Sequence, residues 1–192
     1  MLRGVATIFR KTDYRRWSEG SSFEASWEPR TRRAAELVPN CSRVIEFGAG
    51  KRRLEQYLDR SCTYVPSDMV DRGPGTIVCD LNERPLPDLG AGGYDVAVIL
   101  GVLEYLRDVP EVLDWLAKQI QVCVVSYVCV ENKRYSLRRM RQTLSRLRAG
   151  WMNNYDEDHL RALFQERGFE QLSVESCIGN RLFVFSQRHL SR

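Results

Sequence analysis

The chain has 192 residues, of which 43% are hydrophobic, and a formal net charge of +4. This length can bury one sizeable core but is too short for two domains of ordinary size. The small charge does not by itself indicate nucleic acid binding, and no apolar run predicts a membrane span or a secretory leader. We therefore expect one domain, located in the cytoplasm.

The six cysteines contain no C-x-x-C pair of the kind that brings two thiolates onto one metal ion. Most lie in apolar, strand-like runs, where a free cysteine behaves as a small hydrophobe. They are Cys41, Cys62, Cys79, Cys123, Cys129 and Cys177. The pattern favours reduced thiols and predicts no metal site.

Residues 1–42 include Tyr14, Trp17, Phe23 and Trp27 and are predicted to cover the sheet as helical or irregular structure. From residue 43 onward, runs rich in Val and Ile alternate with helical patterns, which indicates a parallel sheet with crossover helices. The predicted strands are 43–47, 63–68, 76–80, 94–100 and 122–127, and the predicted helices are 52–58 and 110–117. The unbroken apolar run of the fourth strand predicts a central position.

The pattern changes after residue 131. Residues 134–148 predict a basic amphipathic helix, whose apolar stripe is Leu137, Met140, Leu144 and Leu147. Its arginines are Arg134, Arg138, Arg139, Arg141, Arg146 and Arg148. They suit a phosphorylated sugar, an anionic lipid, RNA or bulk water. A helix from Asp156 to Gly168 follows, and then an antiparallel pair, 171–177 and 181–186, around a Gly179-Asn180 turn.

Three acidic residues, Glu46, Asp68 and Asp80, lie at the carboxyl ends of the first three predicted strands, the sheet edge where ligands bind. Gly48 and Gly50 lack a Cβ, so the backbone there can approach a ligand closely. A nicotinamide dinucleotide also needs a glycine loop and an acid at the spacing of Asp68.

Two residues argue against a dinucleotide. Arg53 occupies the third glycine position of G-x-G-x-x-G, and Asp80 has no role in that fingerprint. An adenosyl amino acid accounts for all three acids. Glu46 would lie near the cationic amino-acid end, Asp68 would accept from the ribose hydroxyls, and Asp80 would accept from the adenine amino group.

The chain resembles the class I S-adenosylmethionine-dependent methyltransferase family. The likeness covers residues 43–131 and rests on V-I-E-F-G-A-G, Y-V-P-S-D, C-D-L-N and V-I-L-G-V-L-E-Y-L, taken in order. The later run N-N-Y-D-E-D-H-L-R-A-L-F-Q-E-R-G-F resembles the last helix of the family before its terminal hairpin. Two positions depart from the pattern: Arg52 stands where a third glycine is common, and Tyr105 where many relatives carry His.

The resemblance implies S-adenosylmethionine as cofactor and a set of contacts to it. It implies that Gly48, Ala49 and Gly50 line the methionine moiety, that Asp68 and Met69 hold the ribose and adenine, and that Asp80 and Leu81 flank the adenine. Leu100, Gly101 and Tyr105 would border the cofactor or the acceptor. Three cations, Lys51, Arg52 and Arg53, follow the loop at the predicted start of a helix, where they oppose the helix dipole. Solvent or nearby carboxylates, or alternatively an anionic ligand, would compensate them.

The expected fold is α/β and Rossmann-like, a doubly wound, mostly parallel seven-stranded sheet with an antiparallel C-terminal hairpin. Residues 1–192 would form one methyltransferase domain. Its parts would be an N-terminal cover, 1–42, a cofactor-binding core, 43–131, the basic helix, 132–154, and the last helix and hairpin, 155–192.

The expected reaction is methyl transfer to an oxygen or nitrogen of a small or glycan-type acceptor, which the basic residues allow to be anionic. A dedicated base is needed only for a protonated acceptor. The candidates for this base are Glu104, Tyr105, Tyr127 and His159. Two alternatives stay open: a catalytically silent adenosyl-binding or scaffold protein, and an RNA-binding or RNA-modifying protein that uses the basic helix.

Overall fold

The computed structural model describes residues 12–19, 25–90, 93–130 and 137–188. Within them, one seven-stranded sheet has the strand order β3-β2-β1-β4-β5-β7-β6. The strands are β1 Arg43–Phe47, β2 Thr63–Asp68, β3 Ile77–Val78, β4 Val96–Leu100, β5 Val122–Tyr127, β6 Phe169–Cys177 and β7 Asn180–Gln187. The first five run parallel, and β7 pairs antiparallel with both β5 and β6. The predicted fold class is confirmed.

Helices cover the sheet. They are α1 Tyr14–Ser18, α2 Glu28–Glu36, α3 Val109–Leu116, α4 Leu137–Arg148 and α5 Glu157–Gln165. Asp108 caps α3 by accepting from Glu111 N at 3.0 Å, and Asp156 caps α5 by accepting from His159 N at 2.8 Å. No described helix combines the length and apolarity needed to cross a bilayer.

Strand β4 occupies the middle of the sheet, as its apolar run predicts. Ala97 and Ile99 pack into the larger hydrophobic core, whereas Val96 and Val98 pack into the smaller one on the opposite face. Because both faces of the strand are covered, alternate side chains enter two cores. The carboxyl end of β4 is therefore held rigidly at the centre of one sheet edge.

The predicted helix over 52–58 is wrong. Arg52 has a φ of +55°, a left-handed conformation that an α-helix does not contain. Only a 3-10 turn, Leu54–Gln56, follows it. Leu54 is nevertheless fully buried in the smaller core, so the apolar spacing was informative although the helix does not form.

Two other predicted boundaries are corrected. The third strand is Ile77–Val78 rather than 76–80, because Asp80 Oδ1 accepts from Asn82 N at 2.9 Å and turns the chain away from the sheet. The hairpin turn is at Ile178-Gly179 rather than Gly179-Asn180, with φ values of +45° and +72°. Two consecutive positive φ values suit the twist of a two-residue hairpin.

In the part of the basic helix whose side chains are described, the predicted apolar stripe is not the face that packs against the rest of the protein. Leu144 and Leu147 are 55% and 43% exposed, whereas Arg146 is buried. Arg146 donates to Cys129 O at 3.2 Å and lies 4.8 Å from the ring centroid of Trp151. The Trp151 ring and the Cys129 carbonyl oxygen take the place of water around the Arg146 guanidinium. Residues 134–136 and the side chains of 137–142 lie outside the described part of the chain.

Candidate functional site

A cavity of about 390 Å³ opens at the carboxyl ends of the parallel strands. Its volume lies within the range of small-molecule sites, roughly 300–1,000 Å³. All the residues that the sequence predicted for the cofactor line it: Glu46, Gly48, Ala49, Gly50, Asp68, Met69, Asp80, Leu81, Leu100, Gly101 and Tyr105. Residues distant in sequence meet there because parallel strands end at one edge.

The glycine loop is clamped between β2 and β4. Gly48 N and Ala49 N both donate to Ser67 O, at 2.8 and 3.0 Å. Gly48 has a φ of +73°, and a Cβ built on it would lie 2.4 Å from Val102 Cγ2. Both the left-handed backbone and the close approach therefore require glycine at this position.

Glu46 is a buried carboxyl group at the base of the cavity, only 4% exposed. Tyr64 donates its hydroxyl proton to Glu46 Oε2 at 2.5 Å. Burial raises the pKa of Glu46 to about 8, although the Tyr64 hydrogen bond and the charge of Arg30 oppose the rise. Glu46 is therefore poised to ionise when a cation binds beside it.

Asp68 is fully engaged within the protein. Its Oδ2 accepts from Gly50 N at 2.9 Å and lies 3.1 Å from Arg72 Nε. Its Oδ1 accepts from Val70 N at 3.3 Å and from Arg72 Nη2 at 3.1 Å. The carboxylate thus shapes the glycine loop, and Arg72 occupies positions where hydroxyl groups of a ligand would donate.

The cations after the loop are compensated by neighbouring side chains. Arg52 Nη2 lies 3.1 Å from Glu55 Oε2, and Arg52 Nη1 donates to Pro74 O at 3.0 Å. Arg53 Nη1 donates to Gln56 Oε1 at 3.2 Å. Arg52 also keeps a left-handed backbone at the position where the family commonly has glycine. The solvent-and-carboxylate interpretation of this cluster is therefore the one that the contacts favour.

Arg30 is a cavity residue that the sequence did not reveal. It belongs to α2 and is 7% exposed, and its Nε is buried with no hydrogen-bond partner among the described residues. Burial lowers its pKa, while the charges of Glu104 and Glu46 oppose the change. A methyl group built on Gly101 would lie 3.0 Å from Arg30 Nη1, so the guanidinium lies against the end of β4. Arg30 makes no ion pair with another described residue, and a buried cation of this kind suits an anionic ligand.

The four catalytic candidates separate into two pairs. Glu104 and Tyr105 line the cavity, and burial raises the pKa of each. Tyr127 is fully buried outside the cavity lining, donates to Asn153 Oδ1 at 2.6 Å and accepts from Tyr155 N, which is a structural role. His159 is exposed in the first turn of α5, also outside the lining. The structure therefore brings only the first pair to the cavity.

A sequence model described as a methyltransferase domain matches residues 14–174, most of the chain. The chain belongs to the class I S-adenosylmethionine-dependent methyltransferase family. S-Adenosylmethionine is the methyl donor of this family. No curated protein matches the sequence.

Solved methyltransferase structures share the fold at low sequence identity. A candidate O-methyltransferase from Nostoc punctiforme has a TM-score of 0.70 and 11% identity, covering 90% of this chain and 60% of that one. The Burkholderia thailandensis 1,6-didemethyltoxoflavin-N1-methyltransferase has a TM-score of 0.66 and 14% identity, covering 97% of this chain and 90% of that one. The Synechocystis magnesium protoporphyrin IX methyltransferase has a TM-score of 0.63 and 15% identity, covering 96% of this chain and 98% of that one. The chain described here spans only 60% of the length of the Nostoc protein.

Proposed function

We propose that the cavity binds S-adenosylmethionine and that the protein transfers its methyl group to an oxygen or nitrogen of a small or glycan-type acceptor. The observation that carries this proposal is the convergence of Glu46, Asp68 and Asp80 with the glycine loop on one cavity. These groups suit the ammonium, the ribose hydroxyls and the adenine amino group of the donor.

Arg30 completes the proposed binding of the donor. The amino-acid end of the donor carries an ammonium and a carboxylate, and the cavity offers both countercharges near the ends of β1 and β4. Glu46 supports the ammonium, and the guanidinium of Arg30 supports the carboxylate. Gly48, Ala49 and Gly50 pass beneath this end of the donor, whereas Met69 and Leu81 lie on the nucleoside side.

When bound, the donor supplies a sulfonium methyl group that the acceptor atom takes in one displacement, the electron pair of the broken C–S bond passing to sulfur. The protein orients the two reactants and excludes water from them. Glu104, whose Oε1 accepts from Val128 N at 3.1 Å, is the proposed acid–base group of the cavity. Its Oε2 is buried without a hydrogen-bond partner among the described residues.

The experiment that tests this function has two stages. Calorimetry should detect S-adenosylhomocysteine binding to the purified chain, and a panel of phenols, amines, carboxylates and sugars is then screened for methyl transfer. Tight binding without transfer to any acceptor would support a silent adenosyl-binding protein instead. Absence of binding would contradict the proposal.

Glycine at position 48 is expected to be necessary for donor binding. Gly48→Ala should weaken S-adenosylhomocysteine binding by about tenfold or more, because it adds left-handed strain of roughly 1–2 kcal/mol and a clash with Val102. Adding Val102→Ala should restore the part due to the clash and leave the strain. If the single variant binds as the unmodified protein does, the loop is not part of the site.

The affinity for the donor should depend on the ionisation of Glu46. Because its pKa is raised to about 8 and an ammonium favours the ionised form, affinity for S-adenosylhomocysteine should rise with pH up to about 8. Below that pH, binding should release close to one proton, measured by calorimetry in buffers of different ionisation enthalpy. Glu46→Gln should abolish the release, and Tyr64→Phe should move the rise to higher pH. Proton-neutral binding at pH 7 would contradict this assignment.

A further inference from the structure

Aromatic side chains from three separate segments form one wall of the cavity. Trp17 comes from α1, Tyr105 from the 3-10 turn Leu103–Tyr105, and Trp151 from the segment after α4. The ring centroids of Trp17 and Tyr105 are 4.9 Å apart at an interplanar angle of 75°, and those of Tyr105 and Trp151 are 6.4 Å apart at 82°. We call these three residues the aromatic wall.

Hydrogen bonds and cation–π contacts hold the aromatic wall in place. Trp151 Nε1 donates to the Tyr105 hydroxyl at 3.0 Å. The Arg146 guanidinium lies 4.8 Å from the Trp151 centroid, and that of Arg16 lies 4.5 Å from the Trp17 centroid. Because the indole N–H of Trp151 and the hydroxyl oxygen of Tyr105 bond to each other, these two side chains offer the cavity mainly apolar ring surface in a fixed arrangement.

The aromatic wall stands over the middle of the sheet edge. Tyr105 lies on the turn that follows β4, and Trp17 O accepts a hydrogen bond from Arg72, the partner of Asp68 at the end of β2. Strand β1 and its glycine loop lie between those two strands. The wall therefore borders the same part of the cavity as the glycine loop, where the proposed function places the donor.

The guanidinium groups on the aromatic wall disfavour a cationic ligand against its rings. Aromatic cages bind cations, but guanidinium groups already occupy positions on these rings: Arg16 on Trp17 and Tyr105, and Arg146 on Trp151. Arg30, in the same cavity, lies over Trp27. A second cation would meet like charges, whereas a neutral or anionic flat ring would be attracted by both the rings and the cations.

We propose that the aromatic wall is the acceptor subsite and that the acceptor is a planar aromatic molecule, neutral or anionic, with a hydroxyl or nitrogen nucleophile. This inference rests on the proposed function. The perpendicular rings of the wall allow a flat acceptor to stack on one ring while its edge contacts another, which limits its orientation toward the donor.

The test uses probes chosen to contrast planarity and charge. Binding of 2-naphthoate, its fully saturated decahydro counterpart and 2-naphthyltrimethylammonium is measured by calorimetry with S-adenosylhomocysteine at saturation. We expect 2-naphthoate to bind at least about tenfold more tightly than the saturated acid, and the cation to bind more weakly than 2-naphthoate. Trp17→Leu should lower 2-naphthoate affinity about three- to tenfold. No residue of α1 is buried, so this variant should fold.

Trp115→Phe is the matched control, because Trp115 does not line the cavity, and the aromatic ring that replaces it can keep the contact with Phe47, which does. Its affinity for 2-naphthoate should be unchanged. Equal binding of the saturated acid, or tighter binding of the cation, would overturn the proposal. If 2-naphthoate binds the ligand-free protein but not the protein saturated with S-adenosylhomocysteine, the wall holds the adenine instead. Failure of S-adenosylhomocysteine itself to bind would contradict the proposed function rather than the acceptor subsite.

Discussion

Replacing Asp68 with alanine should weaken S-adenosylhomocysteine binding more than about tenfold, because the ligand loses charge-assisted hydrogen bonds. The structure adds a second reason, since Asp68 Oδ2 accepts from Gly50 N at 2.9 Å and so shapes the loop itself. Asp71→Ala is the matched control, because Asp71 is exposed and, within the described part of the chain, accepts only from Gly73 N in its own turn. Unchanged affinity in a folded Asp68→Ala protein would remove Asp68 from the site.

Arg72 makes this prediction more specific. Its guanidinium contacts both carboxylate oxygens of Asp68, the atoms that the ribose hydroxyls are proposed to reach. Donor binding must therefore displace at least one of these contacts, at a free-energy cost. Arg72→Gln should tighten S-adenosylhomocysteine binding several-fold, while Arg72→Gln combined with Asp68→Ala should bind as weakly as Asp68→Ala alone. Weaker binding by Arg72→Gln would show that Arg72 supports the ligand.

Replacing Arg30 with methionine should weaken S-adenosylhomocysteine binding about ten- to a hundredfold, the effect of a lost hydrogen-bonded charge pair. Binding of 5′-methylthioadenosine, which lacks the amino-acid end, should not change. Calorimetry with both ligands thus separates a contact to the donor carboxylate from a general effect on the cavity. Equal losses of affinity for the two ligands would contradict the contact between Arg30 and the donor carboxylate. No loss for either ligand would indicate that Arg30 contacts the acceptor instead.

Two further variants control for charge and for folding. Arg32→Met removes an exposed guanidinium from the same helix and should leave both affinities unchanged. Arg30→Lys should restore part of the lost affinity. The thermal unfolding midpoint of ligand-free Arg30→Met should not fall, because the variant removes a buried cation that has no ion pair among the described residues. A clear fall would indicate that Arg30 stabilises the fold.

Local signals were sufficient for the sheet and for the acids at its edge. The apolar run of β4 predicted its central position, and the strand-end positions of Glu46, Asp68 and Asp80 predicted a common cavity. The helix after the loop was predicted wrongly, because apolar spacing records which side chains are buried but not the left-handed backbone of Arg52. Leu54 is buried there although no α-helix forms.

The sequence by itself determined where the strands occur along the chain and where the glycine loop and its acids lie, since each depends on residues within a short stretch. Only the tertiary structure decided which of the first forty residues line the cavity. Trp17 and Arg30 occur in a segment without a motif, and they enter the cavity because α1 and α2 fold across the ends of distant strands. Pairings such as Trp17 with Tyr105, and Trp151 with Tyr105, depend on packing in three dimensions. Side-chain spacing along the chain does not encode them.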